Sequence, residues 1–64
     1  MYELILRPSI RRDDRPWALE LRIHGPAETS YAHVAHVSKN MAYALADANL
    51  AIFLYGDPRE TDHD

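Results

Sequence analysis

The sequence predicts a small α+β domain: a three-stranded antiparallel meander followed by one C-terminal helix packed on one face of the sheet. Three observations carry this prediction. Two early segments alternate apolar and polar residues with the period of half-buried strands. A third segment is rich in β-branched and aromatic residues, and the stretch from Ser38 to Gly56 is long and apolar enough to be a core helix. Residues 1–56 are expected to form the single domain and residues 57–64 a flexible acidic tail.

The first strand is read over residues 2–7, with Tyr2, Leu4 and Leu6 on one side and Glu3, Ile5 and Arg7 on the other, and Pro8 closing it. The second is read over residues 17–24, with Trp17, Leu19, Leu21 and Ile23 inward and Ala18, Glu20, Arg22 and His24 outward. The polar loop from Ser9 to Pro16 joins them as a hairpin that projects charged residues into solvent. Gly25-Pro26 then marks a turn.

Residues 29–37 admit two readings. Thr29, Tyr31, Val34 and Val37 favour a strand, whereas Ala32, Ala35 and the spacing of Val34, Val37 and Met41 would let the helix begin early. A helix from Glu28 to Tyr55 would be about 40 Å long at roughly 1.5 Å per residue, while the strands reach only about 25 Å. Matched lengths favour a third strand ending at Val37. The alternative is a β-hairpin followed by a long or broken helix.

The helix itself is expected to start at Ser38, whose hydroxyl can cap the first turn, and to end at Gly56, with Pro58 forbidding continuation. Helical spacing places Met41, Leu45, Ala48, Ile52 and Tyr55 on a core-facing stripe. On the opposite side Tyr43, Leu50 and Leu54 fall together with Asp47 among them. A helix apolar on both sides has something against both, so these four residues are the candidate protein interface.

The chain has no cysteine, so neither a disulfide nor a thiolate metal site can staple so small a core, and a homodimer or a partner protein is the expected remedy. No apolar run is long enough to span a membrane, and Glu3 near the start argues against a signal peptide. A soluble cytoplasmic protein is the expectation. The net charge of −3 is uneven. Residues 1–24 set Arg7, Arg11, Arg12, Arg15 and Arg22 against Glu3, Asp13, Asp14 and Glu20, while residues 25–64 set only Lys39 and Arg59 against Glu28, Asp47, Asp57, Glu60, Asp62 and Asp64. The acidic excess disfavours nucleic acid, whose binding draws on phosphate neutralisation, although Arg11, Arg12, Arg15 and Lys39 are the residues that would contact nucleic acid or an acidic partner.

Other chemistry has weaker support in the residues. His33 and His36 would share a face on a helix and could there hold a metal ion, but plain strand alternation sends them to opposite faces, which sets the pair aside. Asp13 and Asp14 lie among arginines, where carboxylates are not raised toward catalytic pKa values, and Ser30 and Ser38 lack a motif pairing them with a histidine. No enzyme activity, cofactor or metal is expected.

The stretch Ser38-Lys39-Asn40-Met41-Ala42, with Ala46 beyond it, resembles the start of the C-terminal helix of double-stranded-RNA-binding domains, a resemblance that implies a strand meander and phosphate contact through Lys39. Asn40 stands at the family's second lysine position, and the family's first helix and glycine-rich third strand have no counterpart. The order of three strands and a helix also looks like the partial ribonuclease-H fold of HicB-type antitoxins. Size, acidity and surplus apolar surface together are similar in type to phage or mobile-element inhibitors, including anti-CRISPR proteins. The function expected is therefore a non-catalytic protein-interaction module that occludes a surface of host machinery. The alternative is a small nucleic-acid-binding or antitoxin-like regulator using Lys39 and the hairpin arginines.

Overall fold

The computed structural model describes residues 1–10 and 13–60. The alternating segments form β1 (Tyr2–Pro8) and β2 (Trp17–His24), antiparallel in a register that sets Tyr2 opposite Ile23 and Pro8 opposite Trp17. Their loop closes through the Ser9 N–H, which donates to the Pro16 carbonyl at 2.7 Å. At the Gly25-Pro26 turn the Gly25 N–H donates to the Glu28 carbonyl at 2.9 Å, and β3 (Thr29–Val37) returns antiparallel to β2. Residues 29–37 are thus a strand, and the meander exists as expected.

The helix is half the expected length. It runs as α1 (Lys39–Asp47), after which the chain turns back and adds a fourth strand, β4 (Ile52–Phe53), parallel to β1. The sheet order is β3-β2-β1-β4, so α1 carries the chain from one edge of a mixed sheet to the other. The fold is small α+β, with a strand after the helix that the three-strand expectation lacks.

Both ends of α1 have a local cause. The Ser38 side chain accepts from the Met41 N–H at 3.1 Å, as a hydroxyl N-cap should. At the other end Asn49 adopts a left-handed backbone, φ 60°. Its N–H donates to the Ala46 carbonyl at 3.0 Å, and the Leu50 N–H donates to the Leu45 carbonyl at 2.9 Å. This nested pair of bonds is the Schellman arrangement, which consumes the last free carbonyls and stops the helix. Asparagine tolerates the left-handed region because its short polar side chain is compatible with it. Gly56, expected to cap the helix, instead ends the turn after β4, where its N–H donates to the Phe53 carbonyl at 3.2 Å. Pro58 opens a short 3-10 turn over Pro58–Glu60.

The shorter helix presents a different face. Ala42 is fully buried and Leu45 packs beside it, against Leu4, Leu6, Trp17, Leu19, Val37, Ala51 and Phe53. Met41 is 50% exposed, and Ile52 and Tyr55 lie outside α1 and are exposed as well, so the expected core stripe does not form. A small residue at Ala42 lets the helix backbone sit close to the sheet, and Leu6 fills the space beneath. Ile5, on the side of β1 opposite Leu4 and Leu6, is also fully buried. Its register neighbours on the face away from the helix are Glu20 and Ile52, and the Arg7–Glu20 and Arg22–Glu3 ion pairs belong to the same face. The stems of such long side chains cover apolar surface while their heads stay in water.

A second departure lies in the β2–β3 pairing. Ala18 pairs with His36 and Glu20 with His33, so two steps along β2 match three along β3, and the irregularity falls between Leu19 and Glu20. This is a β-bulge, with one extra residue on the edge strand.

Candidate protein interface

The four residues expected on one helix face are split among three places. Tyr43 and Asp47 remain on α1. Leu50 lies in the connection to β4, and Leu54 lies in the turn after it, half-buried, with its N–H donating to the Leu6 carbonyl at 2.9 Å. The single face dissolves because the helix ends at Asp47.

Around Tyr43 and Asp47 the chain closes on itself. Tyr43 meets Phe53 edge-on with ring centroids 5.9 Å apart, and Phe53 meets Trp17 the same way at 4.9 Å. Arg59 lies over the Tyr43 ring, 4.5 Å from its centre, and donates to both oxygens of Asp47 at 2.8 and 3.1 Å. It also pairs with Asp57 at 2.8 Å. The start of the expected tail is thereby docked on the helix; residues 61–64 lie outside the described residues. Bidentate geometry and an aromatic platform are what a planar guanidinium satisfies and an ammonium does not.

Leu50 opens on a different surface. A groove of about 410 Å³ runs between the start of β1 and the α1–β4 connection, with Tyr2, Leu4 and Leu21 on the sheet side and Leu50, Ala51 and Ile52 opposite. Glu3 and Asn49 supply its polar lining. The groove exists because β4 pairs only with Ile5 and Leu6, which leaves the outer edge of β1 uncovered at Tyr2 to Leu4 among the described residues. Leu50 is 61% exposed, and Met1, Tyr2 and Ile52 are exposed nearby in sequence or on the groove wall. Contiguous apolar surface of this kind marks an interaction site more often than scattered leucines do. The sequence carries a signal for it: Asn49 as a helix stop, followed by the short apolar run Leu50 to Tyr55 that also suits a strand.

Most cations among the described residues are already neutralised. Arg7 Nη1 donates to Glu20 Oε1 at 3.0 Å, Arg22 Nε donates to Glu3 Oε1 at 2.7 Å, and Arg59 is held as above. Arg15 is exposed, 3.9 Å from Asp14, and Lys39 is exposed at the first position of α1. Pairing of Trp17 with Val37 brings the segments carrying these two residues to one end of the sheet. Arg11 and Arg12 lie outside the described residues.

These ion pairs set a pH dependence. The His24 imidazole, 2.7 Å away, and the Arg22 guanidinium hold the Glu3 carboxyl below the usual carboxylate range, and Arg59 does the same for Asp47 and Asp57. A carboxylate with a lowered folded-state pKa stabilises the fold above its ordinary pKa and loses that contribution as pH falls through the lowered value. The melting temperature followed by circular dichroism is therefore expected to hold between about pH 5 and 7 and to fall below about pH 4. Arg59→Gln should shrink the acid-induced drop, as should salt, because all three carboxylates are solvated. A melting temperature that stays level from about pH 5 to about pH 2.5 would contradict this account.

His33 and His36, set on opposite faces by plain alternation, are brought to the same face by the bulge, with ring centroids 4.8 Å apart. Glu20 Oε2 is 3.9 Å from His33 Nδ1, and His36 Nδ1 is buried with no hydrogen-bond partner among the described residues. Among the described residues, no group of three or more His, Cys, Asp or Glu side chains is placed to hold a metal ion. No helix of the described residues is long and apolar enough to cross a membrane.

Comparison with protein-family models, with curated proteins and with solved structures finds no match to this chain.

Proposed function

We propose that this chain is a non-catalytic interaction module that occludes a surface of a partner protein, in the manner of phage and mobile-element inhibitors of host machinery. The apolar groove around Leu50 carries the reading. It offers exposed leucine, isoleucine and tyrosine beside a stretch of β1 whose outer edge has no strand partner among the described residues, so it can seat an apolar side chain and hydrogen-bond an extended backbone at once. The net charge of −3 selects the partner: a basic protein surface that presents one apolar anchor. A hot spot of this kind concentrates binding energy in a few residues.

The test uses the tagged full chain in its native host, followed by purification of whatever it captures and calorimetry with the purified partner. One-to-one binding that weakens tenfold or more on Leu50→Glu, with an unchanged circular dichroism spectrum, supports the proposal. Equal binding by Leu50→Glu overturns it. Sedimentation of the free chain supplies another outcome. If the wild type is a homodimer and Leu50→Glu a monomer, the groove is covered by a second copy of the chain.

A second reading has one observation in its favour, the placement of Arg15 and Lys39 at the same end of the sheet. In that reading the chain is a small nucleic-acid-binding or antitoxin-like regulator. Its signature is steeply salt-dependent binding to duplex DNA or RNA, lost on Arg15→Ala with Lys39→Ala. Arg7, Arg22 and Arg59 are committed to carboxylates, which is why the protein-partner reading is preferred.

A further inference from the structure

We propose that the outer edge of β3 is a homodimer interface, at which a second copy of the chain adds its own β3 antiparallel and continues the sheet across a two-fold axis centred on Tyr31. This edge lies at the opposite end of the strand order from β4 and the Leu50 groove, so the dimer leaves the groove open to a partner.

The backbone of β3 is self-complementary in that register. The His24 N–H donates to the Met1 carbonyl at 2.9 Å, so His24, and by alternation Arg22 and Glu20, aim their backbone groups at β1, while Ile23 and Leu21 aim theirs at β3. Their partners Ser30 and Ala32 therefore point inward, and Thr29, Tyr31 and His33 turn their N–H and C=O groups away from the sheet. No strand lies beyond β3 among the described residues. With Tyr31 opposite the copy's Tyr31, Thr29 falls opposite the copy's His33 and His33 opposite the copy's Thr29. Every outward group of the three residues then meets a matching donor or acceptor, as a two-fold contact between identical strands requires. The bulge lies beyond His33 and bends the strand there, which sets the length of the paired segment.

Charge selects a second copy as the occupant. Edge strands are ordinarily kept apart by charged residues or proline. Thr29–Val37 contains no Asp, Glu, Lys, Arg or Pro, and Thr29 to Val34 are all exposed. In a chain of net charge −3, two copies repel wherever their acidic groups meet, and this strand brings none to the contact. The uncovered edge of β1 is the contrary case, because a two-fold contact there would bring the Glu3 carboxylates of both copies together. On the face of the sheet away from α1 the β3 pairing sets Tyr31 beside the copy's Tyr31 and the Thr29 hydroxyl beside the copy's His33 imidazole, and cross-strand aromatic pairs of this kind stabilise a sheet. On the other face Ser30 meets the copy's Ala32, and both are too small to obstruct the approach. Dimerisation would give a chain of 64 residues without cysteine the added burial that its single core lacks.

The experiment is sedimentation of the purified full chain over a concentration series, with amide exchange and a cysteine cross-link as further readouts. A concentration-dependent dimer is expected, with the Tyr31 and His33 amides exchanging slowly in the dimer although they face away from β2. Tyr31→Glu should raise the dimer dissociation constant tenfold or more with an unchanged circular dichroism spectrum, because the new carboxylate stands opposite Arg22 in its own chain and opposite its like in the copy. Leu50→Glu should leave the dimer intact. The cross-link tests the register without a change of charge: facing residues at the two-fold have Cα atoms about 5.5 Å apart, within the span of a disulfide. The chain has no cysteine of its own, so mild oxidation of Tyr31→Cys should give covalent dimers much faster than that of Leu50→Cys. A monomer up to millimolar chain, a dimer with freely exchanging Tyr31 and His33 amides, or equal cross-linking of the two cysteine variants would overturn the proposal. So would a dimer that survives Tyr31→Glu and dissociates on Leu50→Glu, which would place the second copy in the groove.

Discussion

Leu6→Ala is expected to leave the chain largely unfolded at room temperature. Leu6 is fully buried at the centre of the cluster that joins sheet, helix and β4, touching the ground occupied by Ala42 and Ala51. Truncating a buried leucine costs about 2–5 kcal/mol, since transfer and cavity terms add. A domain this small has little more than that to lose, commonly about 3–5 kcal/mol from a single core. Urea denaturation followed by far-ultraviolet circular dichroism measures the loss directly. Leu50→Ala is the comparison: Leu50 is mostly exposed, and its truncation should move the midpoint little. Equal effects of the two substitutions would mean that the core is not where the structure places it.

Phe53→Ala is expected to detach β4 and expose the indole of Trp17. Phe53 is half-buried, pairs with Leu6 in the β1–β4 register, and stands between the Trp17 and Tyr43 rings at 4.9 and 5.9 Å. Full truncation of a buried phenylalanine costs about 3–5 kcal/mol, so a half-buried one should cost about 2–3 kcal/mol. The chain has one tryptophan, which makes its emission a clean local reporter. A red shift under native conditions with the β2–β3 amide protection kept is the expected result. Unchanged emission and stability would argue against a fourth strand that closes over Trp17.

The candidate interface is only partly legible in the sequence, and the shortfall has a specific cause. Leu50 has no partner that helical spacing can assign to it, and in the fold it does remain exposed beside a groove. Tyr43 and Asp47 share that lack of an assignable partner, yet the chain supplies one: Arg59, which reaches back from beyond Pro58 to bind Asp47 and cover Tyr43. A contact between residues twelve apart across a turn cannot be read from helical periodicity. The histidine pair is misread for a different reason. Alternation along β3 is sound for a regular strand, but one unpaired residue inverts it for every position beyond, and that residue is defined only by what β2 places opposite.

The sequence by itself determined the first two antiparallel strands, the turn at Gly25-Pro26 and the start of the helix, and it favoured a third strand over an early helix start. Each rests on local physics: alternation over Tyr2–Pro8 and Trp17–His24, β-branched and aromatic residues in Thr29–Val37, and a hydroxyl at Ser38 positioned to accept from Met41. Only the tertiary structure decided where the helix stops and that a strand comes after it. Residues 48–55 are apolar enough for either helix or strand, and their local preferences do not choose. The choice is made by the free edge of β1, where the Leu6 carbonyl gains the Leu54 N–H as its partner only if Ile52 and Phe53 run extended beside that strand.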